Sequence, residues 1–494
     1  MGNAYERLDK AFAKMHRLSH LGEIAGWDQA AMMPAGGNQA RSEALAELKI
    51  LVHGMLSQPA IAVDLEQAEA EEAGTFEGAG LREMRRVFRQ ATLLPEALVE
   101  AKSLAGSRCE HAWRSQRPKG DWTGFLVNFE PVVELARQEA AILSQALGLR
   151  PYDALMDKFD PGSRCVQIDA AFSDLKTWLP DLIKRALAKQ AGESVVKPKG
   201  PFPIQQQKEL ALEVMTMLGF DFNHGRLDVS THPFCGGVPQ DVRITTLYDE
   251  ADVTRALMGV VHETGHARYE QGLPREYVHL PVGRARSMAL HESQSLSCEM
   301  QLGAHPGFVG LLAPMLAKKF GAQEAFQPQN LARLFTRVEP GLIRVVADEL
   351  TYPAHIILRY EIERALIEGE IEARDIPGLW DEKMMAYLGV DTRGNFKDGP
   401  MQDIHWTDGS FGYFPSYTLG AMHAAQFFDA MRTNCPDMDE RIGRGDFSPV
   451  FDWLSTNIWS KASQLESAEL VKQATGSVLD AAHFKRHLER RYIG

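Results

Sequence analysis

Cysteine is scarce in this 494-residue chain: Cys109, Cys165, Cys235, Cys298 and Cys435 are odd in number, widely scattered and show no Cys-x-x-Cys spacing. That pattern excludes a disulfide framework and a thiolate metal cage, and predicts reduced thiols in a cytoplasmic protein. Long apolar runs are also missing, and none approaches the roughly 20 residues needed to span a bilayer. The N-terminal M-G-N-A-Y-E-R-L-D-K mixes both charges where a signal peptide carries an uninterrupted apolar core, and Glu6 stands where a myristoylation motif wants Ser or Thr. These absences predict a protein that neither enters a membrane nor leaves the compartment where it is made. Positive charge is short as well. A formal net charge of -13 opposes an extended phosphate-binding surface and argues against nucleic acid as the main partner. Internal repeats and low-complexity tracts are absent.

What is present is the composition of a folded protein, 45% hydrophobic and 24% charged. The length exceeds what one hydrophobic core supports, so at least two lobes with a cleft between them are expected. Apolar residues recur at three and four spacing, as in Leu45, Leu48, Leu51 and Val52, or Leu135, Ala140, Leu143 and Leu147. This predicts a mainly α-helical fold. The stretch 190–204, Q-A-G-E-S-V-V-K-P-K-G-P-F-P-I, breaks that pattern and reads as a connection between an N-terminal helical part, 1–189, and a part carrying the chemistry, 205–494. Residues 223–240 read as irregular and lead into D-V-R-I-T-T-L-Y, whose alternation suits one of few strands. A third irregular stretch, 391–416, reads as a long functional loop.

The chemistry centres on V-H-E-T-G-H-A, residues 261–267. A helix is expected across it, with Asp249 and Asp252 as N-cap candidates and Gly272 as the stop. His262 and His266 then share one face a turn apart, able to reach one ion at roughly 2.0–2.1 Å. Glu263 stands aside, placed to meet a water rather than the ion. A chance H-E-x-x-H appears in about one chain of this length in thirty, and two histidines on a solvated helix face are the plain alternative. A hydrolytic zinc centre needs a third ligand. The helical stretch 286–300, R-S-M-A-L-H-E-S-Q-S-L-S-C-E-M, offers His291, Glu292 and Glu299. Spacing alone leaves these open, together with a buried salt bridge.

Other polar groups have two readings each. Asp241, Arg243 and Thr245 alternate onto one strand face, with Val242 and Ile244 turned inward. Arg243 is suited to bind a free carboxylate through both oxygens, or to pair with Asp241 on the surface. Arg344 and Asp348 lie four apart on an expected helix, either as a surface ion pair or, among Ile343, Val345, Val346 and Ala347, as a buried substrate-positioning pair. The loop G-P-M-Q-D-I-H-W-T-D-G-S-F-G-Y-F-P-S-Y supplies Gln402, Asp403, His405, Tyr413 and Tyr417, candidates to touch substrate or an oxyanion. Trp406, Phe411 and Phe414 better fit aromatics closing a lobe interface. His232, held extended by Pro233, is a further candidate for substrate contact.

Taken in order, H-P-F at 232–234, D-V-R-I-T at 241–245, H-E-T-G-H at 262–266, H-E-S-Q at 291–294, I-R-V-V-A-D at 343–348 and G-P-M-Q-D-I-H-W at 399–406 resemble the carboxypeptidase Taq (M32) family of metallocarboxypeptidases. W-D-Q-A-A-M-M-P-A-G-G at 27–37 is similar too, so the resemblance spans nearly the whole chain as one catalytic domain, 1–494. It implies two helical lobes flanking a deep groove, a small sheet lining it, and a homodimer. It also implies one divalent ion, usually zinc and sometimes cobalt. Residue by residue it makes His262, His266 and Glu292 the ligands and Glu263 the general base. The implied reaction removes C-terminal residues one at a time from peptides with a free C-terminus, with broad specificity. Two other readings compete: a helical zinc endo-oligopeptidase or dipeptidyl carboxypeptidase, and a non-catalytic helical binding protein with a vestigial motif.

Overall fold

The computed structural model describes residues 3–68 and 75–494; Met1 and Gly2, which open the stretch read for a leader or lipid signal, lie outside them. Helices dominate. Those that frame the site are α1 (Ala4–Ala31), α2 (Phe76–Thr92), α3 (Trp122–Leu147), α4 (Cys165–Gln190), α5 (Val253–Gly272), α6 (Met288–Leu296), α7 (Tyr352–Ile367), α8 (Pro415–Asn434) and α9 (Ala481–Tyr492). Among the described residues, no helix is long and apolar enough to cross a membrane.

Two large apolar cores divide the molecule. One joins α3 and α4 to α7, α9 and the aromatics Trp380, Trp406, Phe411 and Phe414. The other packs Val253, Leu257 and Val261 of α5 against Phe308, Leu312, Phe447 and Trp459. Helices α6 and α8 feed both: Ala289 and Leu296 face the first core while Leu290 faces the second. On α8, Leu419 and Met422 face the first, and Phe427 and Phe428 the second. They are therefore the shared wall between two lobes, and α6 carries Glu292 along that wall.

The sheet has the order β1-β3-β2, from Gly225–Val229, Asp241–Thr246 and Cys235–Val238. β1 runs parallel to β3 and β2 antiparallel to it, with Ile244 opposite both Leu227 and Cys235. As the alternation predicts, Val242 and Ile244 are fully buried. They pack with Val260 and Ala267 of α5, which fixes the ligand helix on the sheet. The stretch 223–240 is not irregular throughout, since β1 and β2 lie inside it. Gly236 and Gly237 weaken strand propensity locally, and pairing with β3 outweighs that.

One further expectation fails. I-R-V-V-A-D is not helical beyond one 3-10 turn, Arg344–Val346. Its β-branched residues disfavour helix, and Asp348 instead accepts hydrogen bonds from the Leu350 and Thr351 amides ahead of α7. Leu45, Leu48, Leu51 and Val52 do lie on a helix, Asn38–Leu56, yet that helix buries no residue and Leu51 is 53% exposed. The non-helical stretch after Gln190 lasts until the helix Ile204–Met217 begins.

Candidate metal centre

Helix α5 starts where the Asp252 side chain accepts from the Thr254 amide at 2.9 Å, and it runs through both histidines. Its contact with α6 is close because residue 265 has no side chain: a Cβ there would meet the Gln294 carbonyl oxygen at 2.4 Å. α6 begins at Ser287, whose hydroxyl accepts from the Leu290 amide at 3.1 Å, and then widens into a π-helical turn, Ser297–Gly303. The third helix, α8, closes in at Gly420, where a Cβ would lie 2.8 Å from both Cβ and Cγ of Glu292. Small residues at 265 and 420 therefore set the position of Glu292 relative to the histidines.

One ligand atom each from His262, His266 and Glu292 lies within 4.8 Å of the others. Nε2 of His266 stands 3.4 Å from Oε2 of Glu292, about the separation two donors take around a tetrahedral ion with bonds of roughly 2.0–2.1 Å. The other faces of the rings are held. Nδ1 of His262 meets Glu299 at 2.7 Å from the π-helical turn. Nδ1 of His266 lies 3.1 Å from the His291 carbonyl and 2.7 Å from Nδ1 of His291, whose Nε2 meets Glu270 at 2.8 Å. His291 and Glu299, the rival ligands, thus orient the ligand rings, and such partners fix which nitrogen faces the ion.

The electrostatics fit a cation. Burial works against protonation of His262, but Glu299, Glu292 and Glu263 outweigh it and hold the ring up at about 10. Burial, with His291 and His262 nearby, pushes His266 down to about 4, leaving an imidazole free to ligate. Glu292 is held at about 2 because His266, His262 and His291 overcome the cost of burial. Glu263 is raised to about 7 by burial, with Glu292 and Glu299 adding and His262 opposing. Its Oε2 is buried without a hydrogen-bond partner. Three carboxylates outnumber the one imidazole that they hold protonated, and a divalent ion supplies the missing positive charge.

The remaining candidates separate into two groups. Arg243 pairs with Asp241 through both nitrogens, at 2.7 and 2.8 Å, and its guanidinium lies 4.4 Å from the Trp27 ring centroid. It is paired as one reading held, but the pair is roofed rather than freely exposed. Thr245 is fully buried, accepting from the Phe234 amide and bonding Ser230 Oγ, so it props the turn that presents the exposed His232. On the other side, Arg344 is buried but does not pair with Asp348. It donates to Asp403 at 2.9 Å and to the Tyr352 hydroxyl at 3.1 Å, and its backbone amide donates to Gln402. Nε2 of His405 lies 3.1 Å from the Tyr417 hydroxyl, and the Tyr413 and Tyr417 rings meet edge to face with centroids 5.3 Å apart. Burial, with Glu292 contributing, raises the Tyr413 and Tyr417 phenols, so both stay protonated donors. Trp406, Phe411 and Phe414 are buried aromatics inside the first core rather than closing the interface between lobes.

Arg359, Tyr352, Glu270 and Trp27 escaped sequence reasoning as functional residues. Arg359 is fully buried and donates to Asp403 at 2.6 Å. The one available signal was Tyr352 and Arg359 two turns apart in a stretch, Y-P-A-H-I-I-L-R, whose one other polar side chain is His355.

The carboxypeptidase Taq (M32) metallopeptidase family profile matches residues 7–492. Thermostable carboxypeptidase 1 of Thermus thermophilus is 37% identical, covering 99% of this chain and 98% of its own. Metallocarboxypeptidase 1 of Trypanosoma cruzi superimposes with a TM-score of 0.97 at 44% identity, over 99% of both chains. The carboxypeptidase of Pyrococcus furiosus does so with a TM-score of 0.95 at 31% identity, over 100% of this chain and 99% of its own. With the three-ligand cluster in place, these matches make the chain a member of the carboxypeptidase Taq (M32) family, a metal-dependent carboxypeptidase whose ion is held by His262, His266 and Glu292.

Proposed function

We propose that Glu263 is the general base and proton carrier of this carboxypeptidase, and that the Arg344 side of the groove anchors the substrate's chain end. A divalent ion in the site supplies a Lewis acid and acidifies a water. Glu263, beside the ligands with an oxygen free of partners, takes the proton from the attacking water and delivers it to the leaving amine. Tyr413 and Tyr417 donate to the developing oxyanion or the substrate backbone.

Charge favours Arg344 over Arg243 for the terminal carboxylate. Arg243 is matched one to one by Asp241, whereas Arg344 and Arg359 share the single carboxylate of Asp403. That surplus positive charge is the observation on which the polarity of the enzyme rests. Gln402 and Asp403 hold Arg344; Asp348 fixes the start of α7; His232, Asp241 and Arg243 are assigned to the opposite, sheet side, with Thr245 holding the turn behind His232.

Peptides carrying a free C-terminus are the proposed substrates, taken with broad specificity, and zinc is the proposed native ion, with cobalt accepted by the same donors. A homodimer is proposed because Ile50 and Leu51 of the helix Asn38–Leu56, with Leu21 of α1, form apolar surface uncovered in one chain. The acidic charge and reduced thiols support a cytoplasmic protein that does not take nucleic acid. The chain is proposed to act as one catalytic domain, 1–494, in which 190–204 connects the N-terminal helices to the metal-bearing part; this division follows chain order, since the first core draws on both parts.

Mass analysis of a peptide before and after C-terminal amidation tests this reading. A ladder losing one residue at a time from the free peptide, and a block on the amide, is expected. Cleavage of the amidated peptide at internal bonds favours an endopeptidase, and chelator-resistant inertness favours a binding protein.

A further inference from the structure

Helix α2, joined through Glu83 to Arg286 just before α6, carries Arg82, Arg85, Arg86 and Arg89 at positions i, i+3, i+4 and i+7, a single helical stripe. Together with Lys158 the stripe borders a cavity of about 330 Å³. In a protein of net charge -13, this concentration of one sign is costly unless something neutralises it. Part of it is neutralised within the fold. Arg82 and Arg86 share Glu83 at 2.9 and 2.7 Å, Lys158 meets Glu139 at 2.8 Å, and the lining's one acid, Asp157, is taken by Arg164 at 2.7 Å. Arg85 and Arg89 are different. Both are exposed, and among the described residues they meet only backbone carbonyls, of Leu65 and Ala68 for Arg85 and of Ala146 at 3.4 Å for Arg89.

The floor of the cavity has the opposite character. Leu93, Leu143, Leu147 and Ala154 line it, an apolar surface on which a flat organic ring can lie while anionic groups reach the rim. Guanidinium groups bind phosphate oxygens in pairs, which exposed lysines do not. We propose that this cavity binds an organic phosphate of nucleoside diphosphate type, its ring on the leucine floor and its phosphates on Arg85 and Arg89.

Titration calorimetry of the metal-loaded, full-length enzyme at low ionic strength, with ADP, adenosine and inorganic pyrophosphate as separate probes, tests it. ADP is expected to bind one per chain, adenosine not at all, and pyrophosphate about tenfold more weakly than ADP because it leaves the floor uncovered. Arg85→Ala/Arg89→Ala should weaken ADP binding by about tenfold or more while peptide hydrolysis stays at the wild-type rate. Arg85 also holds the end of the helix Pro59–Gln67, so Arg89→Ala alone, which gives up a single long contact, serves as the second variant and should weaken ADP by about threefold or more. The proposal is overturned by absence of ADP binding, by ADP binding that both variants leave unchanged and so belongs to the metal centre, or by adenosine or pyrophosphate binding as tightly as ADP.

Discussion

Glu263 and Glu299 are both carboxylates beside His262, and their surroundings give them different work. Glu299 accepts a hydrogen bond from the ring, whereas one oxygen of Glu263 has no partner. Glu263→Gln keeps the shape and removes the base. Metal content by elemental analysis should stay stoichiometric while kcat falls by about 10²–10⁴-fold. Glu299→Ala leaves the base and frees the His262 ring; competition with a chelator should show metal affinity reduced by about 10–100-fold. A Glu263→Gln enzyme with wild-type turnover would remove Glu263 from the reaction.

Among the elements, the junction of α5, α6 and α8 decides whether the three ligands meet. At 265 the obstacle to a side chain is the backbone of α6, and at 420 it is the Glu292 side chain itself. Gly420→Ala should therefore displace Glu292, lowering metal affinity about tenfold and stability by about 1–3 kcal/mol. Gly265→Ala forces two helices apart and should lose more of both, as read by metal titration and thermal unfolding. Equal loss of stability with unchanged metal affinity in Gly420→Ala would show that Glu292 is not positioned by α8. The π-helical turn matters at the same scale, because its extra residue per turn brings Glu299 back to α5 from a helix that already carries Glu292.

Across the whole molecule, the C-terminal helix α9 is tied to the first core through buried Glu349, which accepts from His487 at 2.7 Å, Arg491 at 2.7 Å and Tyr492 at 3.1 Å. Burial opposes ionisation of Glu349, but Arg491 and His487 outweigh it and hold the carboxyl at about 2, below its ordinary 4.5. Burial keeps His487 below its usual range, with Glu349 opposing. Because the folded value lies below the unfolded one, this stabilisation is complete above about pH 4.5 and disappears as pH falls toward about 2. Its upper bound is roughly 3 kcal/mol. Denaturant unfolding of Glu349→Gln should show lower stability at pH 7 and a flatter loss between pH 4.5 and 2 than the parent; parallel acid profiles would contradict the assignment.

How much of this was legible before folding depends on the range of the interaction concerned. Helix periodicity, the Asp252 cap, the H-E-x-x-H face and the alternation of β3 are local, set by backbone geometry and near neighbours, and can be read along the chain. Its ordered motifs also pointed to the family. The third ligand was different: His291, Glu292 and Glu299 share one short stretch, and only the packing of α6 between α5 and α8 turns Glu292 to the histidines and makes the other two their supports. Likewise Arg344 had Asp348 four residues away, and the structure gives it Asp403, 59 residues on. Its segment makes one 3-10 turn and not an α-helix, and the first core brings the distant loop against it. Long-range packing, which fixes such partners only after the chain has closed on itself, decided the centre's third ligand, the arginine pair that shares one carboxylate, and the two lobes meeting at α6 and α8.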